Sequence, residues 1–189
     1  MHLMILGAPG SGKGTQGKLV AEHLGIAEIS SGELLRAAVR EGTPLGREAK
    51  GYMDRGLLVP DPVILGLIRE ILDSPAGRRG MLMDGFPRTV PQAEAVDAFL
   101  AERRERVNLV LLLEVEEEEL VRRLLARAAK EGRSDDNLES IHQRLQVYHQ
   151  QTAPLVAYYD RQGIVRRIPG TGGVDEIQAR VRAAVGRPT

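Results

Sequence analysis

The chain has 189 residues, enough for one α/β domain with a buried core and too few for two domains of ordinary size. Lysine plus arginine number 26 and aspartate plus glutamate 26, so the formal net charge is +0, which argues against a general nucleic-acid binder. Cysteine is absent, which excludes disulfides and thiolate metal sites and fits a reducing compartment. No run approaches the roughly 20 apolar residues of a membrane span. The opening "MHLMILGAPG" lacks the basic flank and apolar length of a signal peptide. A soluble, cytoplasmic protein with no membrane partner is expected.

Short apolar runs alternate with helical patterns, which predicts a parallel sheet covered by helices. "HLMILG", His2 to Gly7, reads as a buried first strand. A helix follows from Lys13 to about Leu24 and ends at Gly25. "AEIS" is a short second strand. Ser30 and Glu33 have capping-box spacing for the next helix. Thr43-Pro44 and Asp61-Pro62 each look like an N-cap with proline at the first helical position. Three helices in a row, from Ser31 to about Leu72, interrupt the strand rhythm and suggest an inserted helical subdomain.

"MLMD", Met81 to Asp84, is a strand ending in a carboxylate. "VNLVLLLEV" is the most apolar strand, and Glu116 to Glu119 open the helix after it. Acids in a first turn complement the helix dipole, so this run is read as helix chemistry rather than a metal or partner site. A charged turn, "AKEGRSDDN", leads to a long helix from about Asn137 to Tyr159, with Asp136 and Glu139 at capping-box spacing. "IVRRI" is a final strand and "VDEIQARVRAAV" a closing helix.

The strand, the turn "GAPGSGKGT" and the helix at Lys13 are the context of a phosphate-binding loop. Its glycines let backbone N–H groups converge on a polyphosphate, and Lys13 adds a positive charge. The usual pattern places Ser or Thr directly after the lysine, whereas here Gly14 intervenes before Thr15. Asp84, at a strand end beside such a loop, is a candidate Mg²⁺ ligand, direct or through water. Arg36, Arg88, Arg123, Arg127, Arg133 and Arg144 are spread over several segments. Each is by default a surface arginine. Together they suit phosphoryl transfer, which needs positive charge around the transferred group and no protein nucleophile. His142 and His149 are seven apart on one helix with no third ligand in reach of the pattern, so no zinc site is expected.

"GAPGSGKGTQ", "ISSGELLR", "DGFPRT" with Gln92, "GRSDDN" and "YHQQTAPLVAYY" together resemble the adenylate kinases, from Met1 to about Val185. Nucleoside-monophosphate kinases carry G-x-P-G-x-G-K-G-T, so Gly14 is a family feature. The resemblance implies a P-loop NTPase-type α/β fold in three layers, with a five-stranded parallel sheet. It implies a core over 1–29, 60–126 and 137–189, a helical NMP-binding insertion over 30–59 and a short lid over 127–136. It implies reversible phosphoryl transfer from ATP to AMP, giving two ADP, with Mg²⁺ as cofactor and a monomeric enzyme. ATP would sit on Gly10, Ser11, Gly12, Lys13, Gly14 and Thr15, with Arg123 against the base, Arg127 at the phosphates and Gly172 at the adenine. Thr15 and Asp84 would serve the metal. AMP would meet Ser31, Arg36, Leu57, Leu58, Val59, Gly85, Phe86, Pro87, Arg88 and Gln92. Arg133 and Arg144 would clamp phosphates between the two nucleotides, and Lys13, Arg88 and Arg127 would join them in catalysis. Asp135 and Asp136 would pair with these arginines when the lid closes.

Two departures stand out. Ser31 replaces the family's usual threonine, and the lid lacks the long, often cysteine-bearing insert of many members. A UMP/CMP kinase of the same fold is the rival enzyme. A nucleotide-binding switch is the rival from another class: "DRQG", Asp160 to Gly163, matches a bare D-x-x-G, but no N-K-x-D guanine motif is present. Gln92, three after Thr89, has the alternative of merely completing a capping box.

Overall fold

His2–Gly7 (β1) is buried along its whole length because it lies at the centre of a parallel sheet. The computed structural model describes residues 1–131 and 137–186. Among these, Ala27–Ser30 (β2), Met81–Asp84 (β3), Val107–Glu114 (β4) and Val165–Pro169 (β5) join β1 in the order β2-β3-β1-β4-β5. Every pairing is parallel, as the near-continuous apolar runs predict.

Alternate residues of β1 face opposite layers. Leu3 and Ile5 pack with Val20 and Ala21 of Lys13–Leu24 (α1) and with Ile177 and Val181 of Val174–Val185 (α10). Met4 and Leu6 face the other layer, built from Asp61–Asp73 (α4), Val90–Ala101 (α6) and Pro154–Asp160 (α9). The strand order reverses direction around β1. In such sheets the crevice beyond the carboxyl ends of the strands is where ligands bind. Gly7, Ser30, Asp84 and Glu114 are those ends.

The expected helical run is present as Ser31–Glu41 (α2), Pro44–Met53 (α3) and α4. Ser30 and Thr43 cap α2 and α3, accepting from Glu33 N and Gly46 N. The capping box at Ser30 is half made: the Glu33 carboxylate turns instead to Lys18, at 3.0 Å. The cap expected at Asp61 is not made. Helix α4 starts one residue earlier, after Pro60, and the Asp61 carboxylate accepts from Gln92 Nε2 at 2.6 Å. A one-turn helix, Pro75–Arg78 (α5), follows before β3 and has no counterpart in the sequence reading.

Helix α3 packs tightly on α2. A Cβ added at Gly46 would overlap the Ala38 carbonyl and come within 2.6 Å of Val39 N. Backbone cannot swing aside as a side chain can. Gly46→Ala is therefore expected to cost roughly 2 kcal/mol and lower the melting temperature by about 4–8 °C. A melt within about 1 °C of the unsubstituted protein would contradict this packing.

Glu117–Glu131 (α7) begins with the acidic turn, and Leu138–Val147 (α8) packs against it through Leu120, Leu124, Ile141 and Leu145, over Ala8 of the glycine-rich turn. Asn137 caps α8, accepting from Ser140 N at 2.9 Å; Asp136, the expected cap, lies outside the described residues. The long helix expected to run to Tyr159 is broken by a π-helical turn, Tyr148–Thr152. Pro154 explains it. Proline has no N–H and its ring crowds the carbonyl four residues back, so the preceding turn widens, with Ala153 N reaching Tyr148 O at 2.8 Å. No described helix is long and apolar enough to cross a membrane.

Candidate active site

The turn from β1 to α1 puts Gly12 at the N-cap with φ 93°, a left-handed conformation that favours glycine. No side chain caps α1 and no acid sits in its first turn. Its N–H groups and the positive end of its dipole are thus available to an anion. Gly10, Gly12, Lys13, Gly14 and Thr15 line a cavity of about 420 Å³ at this end. Ser11 lies beneath the turn, 0% exposed, and does not line the cavity.

Lys13 folds back over the turn, Nζ donating to Ala8 O at 3.0 Å. Burial lowers its pKa to about 8; Asp84 pulls the other way, and the Arg88, Arg144 and Arg127 charges add to the lowering. This is a positive site held under electrostatic pressure, and a polyphosphate would relieve it.

Asp84 tests the fit of a metal. It is 8% exposed, and its Oδ1 is buried with no hydrogen-bond partner among the described residues. Oδ2 has a long contact with Ser30 Oγ, 3.4 Å. A Cβ on Gly14 would sit 3.6 Å from Oδ2, so the glycine after Lys13 leaves the space between helix start and carboxylate open. Asp84 and Thr15 line the same cavity. An under-bonded carboxylate beside a hydroxyl and a polyphosphate cradle suits a hard cation that takes most of its ligands from phosphate and water. Among the described residues no three His, Asp or Glu side chains converge as a self-contained metal cage.

A second cavity adjoins the first and is lined by Ser31, Arg36, Leu57, Leu58, Val59, Gly85, Phe86, Arg88, Gln92 and Arg144. Its wall is set by Gly85, φ 71°, whose carbonyl accepts from Ser31 Oγ at 2.7 Å and from Arg88 Nε at 2.6 Å. A Cβ there would come within 2.9 Å of Ser31 Oγ and 3.2 Å of the Arg88 guanidinium. Pro87 lines an adjoining space together with Lys13, Arg88 and Arg144. Gln92 is 2% exposed. Its backbone N–H completes the cap on Thr89, but its side chain does not: Oε1 accepts from Arg88 N at 2.7 Å. The capping-box alternative therefore accounts for the backbone of Gln92 and not for its amide.

Arg36 from α2, Arg88 after β3 and Arg144 from α8 line both cavities. They mark the seam where the two meet.

Arg123 and Arg127 project from α7 over the first cavity, one turn apart. Arg123 Nε donates to Glu119 Oε1 at 2.6 Å. Hydrogen bonds from Arg122 and Arg123 hold the Glu119 carboxyl down to about 2. The acidic run thus does more than complement the dipole: Glu119 steadies Arg123. The four-residue spacing Glu119 to Arg123 was the available signal. Gly172, φ 108°, is exposed and lines neither cavity; its loop is tied beside α1 by Gln16 Nε2 donating to Val174 O at 3.0 Å. Arg133, Asp135 and Asp136, with most of the expected lid, lie outside the described residues. Asp160 of the D-x-x-G match sits at the end of α9, away from the glycine-rich turn, and pairs with Arg167. His149 pairs with Glu117 at 3.5 Å.

The adenylate kinase family model matches residues 5–164. The chain belongs to the adenylate kinase family. Among its relatives, the adenylate kinase of Thermus thermophilus is 51% identical over 184 residues, covering 97% of this chain and 96% of the relative. That of Phocaeicola vulgatus is 49% identical over 185 residues, 98% of each. That of Leptospira biflexa is 50% identical over 176 residues, 93% of this chain and 95% of the relative. The fold and the glycine after Lys13 fit this membership, which supports phosphoryl transfer from ATP to AMP giving two ADP, and neither rival, the UMP/CMP kinase or the nucleotide-binding switch, is favoured.

Proposed function

We propose that this protein transfers the γ-phosphoryl group of ATP to AMP, reversibly, giving two ADP. The observation that carries the reading is the pair of adjoining cavities, one on the glycine-rich turn and one ending at Gln92, that share Arg36, Arg88 and Arg144. Two nucleotides bound there would meet phosphate to phosphate at a positive seam. The bond from the γ-phosphorus to the β–γ bridging oxygen breaks, and a bond to a phosphate oxygen of AMP forms. No side chain needs to become covalently attached.

ATP is assigned to Gly10–Thr15, with Lys13 on its phosphates, Arg123 against its base and Arg127 toward the transferred group. Mg²⁺, bound with ATP and served by Thr15 and Asp84, would neutralise charge on the phosphate oxygens. AMP is assigned to the second cavity, its phosphate at Arg36 and Arg88 and its base between Leu57–Val59 and Gln92. Gln92 would offer an acceptor to the adenine N6 amino group and a donor to N1. The resemblance supports two further parts of the reading. Segment 30–59 would hold AMP. Segment 127–136 would close over ATP, bringing Arg133, Asp135 and Asp136 to the seam beside Arg144. Excluding water in this way protects the transferred group from hydrolysis. The enzyme is taken to act as a cytoplasmic monomer.

The test is direct. Purified protein with Mg²⁺, ATP and AMP should form two ADP for each ATP consumed and should run backward from ADP alone. Slow release of inorganic phosphate with no ADP-to-ATP exchange would contradict it. Zinc plays no part in this reading, since the chain has no cysteine. Elemental analysis should find no stoichiometric zinc; zinc lost together with stability on chelation would refute that.

A further inference from the structure

Gln92 sits at the end of the acceptor cavity, and both ends of its amide are already engaged. Oε1 accepts from Arg88 N at 2.7 Å, and Nε2 donates to Asp61 Oδ1 at 2.6 Å. These two partners are of fixed and opposite kind. A backbone N–H can only donate, and an aspartate carboxylate oxygen accepts. The amide therefore has one orientation, set by its surroundings rather than by the ligand. Turning it over would set N–H against N–H at Arg88 and oxygen against carboxylate at Asp61.

From this we infer that Asp61 is a specificity-determining positioning residue: it locks the Gln92 amide in the orientation that matches adenine and rejects a 6-oxo purine. The inference rests on the assignment of AMP to this cavity. One lone pair of Oε1 and one proton of Nε2 are committed to the protein. The second lone pair and second proton face a base as an acceptor beside a donor. Adenine presents the complement, a donor at N6 and an acceptor at N1. Hypoxanthine and guanine present the reverse, an acceptor at O6 and a donor at N1. A free glutamine could turn over to suit either. This one cannot, because Gln92 is 2% exposed and both of its protein partners are fixed in kind. Asp61 is half-buried and lines neither cavity, so it acts on the base only through Gln92.

Inosine monophosphate is the probe, since it differs from AMP in this edge alone. Steady-state kcat/KM for AMP and for inosine monophosphate, with Mg-ATP as donor, would be compared in unsubstituted protein, Asp61→Asn and Asp61→Ala. Asparagine can present either its oxygen or its amide, and alanine presents neither. The AMP-to-IMP ratio is expected to fall about tenfold or more in both variants, with KM for ATP within about twofold of the original. Asp61 is also an acid in the first turn of α4, so each variant is expected to melt somewhat lower. That structural role alone would not move the ratio. An unchanged ratio in either folded variant would overturn the lock while leaving AMP in its cavity. Unsubstituted protein that uses inosine monophosphate as well as AMP would overturn the lock too, and with it the reading of Gln92.

Discussion

Lys13→Ala is expected to lower kcat/KM by about 10³-fold or more while the protein still folds. Lys13 closes the glycine-rich turn by one hydrogen bond, to Ala8 O, and its burial is unfavourable to its own charge. Its removal therefore costs the fold little and takes a positive charge from the cavity to which the ATP phosphates are assigned. Arg88→Ala should behave alike from the other side of the seam. Its Nε is held by Gly85 O, which fixes the guanidinium plane where the two cavities meet. A positive group pre-placed at developing charge needs no reorganisation during the reaction, which is why one arginine can contribute so much. Steady-state kinetics with a thermal melt as control is the measurement. Near-original turnover in either variant would remove that residue from the mechanism.

Nucleotide affinity is expected to weaken steeply in alkali. In the free protein Lys13 titrates at about 8 against an ordinary value of 10.5. A bound polyphosphate favours the charged amine, so the complex holds its proton to higher pH. Above pH 8 binding must take up a proton, and the dissociation constant for ATP should rise about tenfold per pH unit toward pH 10. Below pH 8 it should level off. Stability has the opposite sign. The folded pKa lies below the unfolded one, so the ligand-free fold loses nothing from this lysine as pH rises. Its burial penalty, fully present below pH 8, is relieved between 8 and 10.5. Lys13→Arg, charged throughout this range, should flatten the affinity profile. Calorimetric titration across pH would show it; a dissociation constant indifferent to pH would contradict the shifted lysine.

The readable parts of this molecule are its local ones. The turn before Lys13, the caps at Ser30, Thr43 and Thr89, and the left-handed Gly25 that ends α1 all follow from a few adjacent residues. The alternation of strand and helix is enough for the α/β class. Contacts between distant segments were not readable in the same way. Asp61 reads as a helix cap because Pro62 follows it, and its actual partner lies 31 residues away. Glu33 similarly leaves its box for Lys18, 15 residues upstream. The reading of one helix from about Asn137 to Tyr159 passes over Pro154, which widens the turn before it into the π-helical Tyr148–Thr152. The roles of individual arginines came from family resemblance, since an arginine on a helix carries no mark of its cavity. Only the folded chain brings α2, the segment after β3 and α8 to one seam.

What separates an adenylate kinase from a UMP/CMP kinase is the acceptor base, because the phosphate machinery is common to both. The most direct measurement is kcat/KM for AMP, CMP, UMP and GMP with Mg-ATP as donor. A buried amide whose second donor and acceptor go unmatched by uracil and guanine should favour AMP by about 10³-fold or more over UMP and GMP; cytosine presents the same donor and acceptor as adenine, so CMP should be disfavoured through its smaller base rather than through the amide. CMP or UMP used as well as AMP would contradict the central claim.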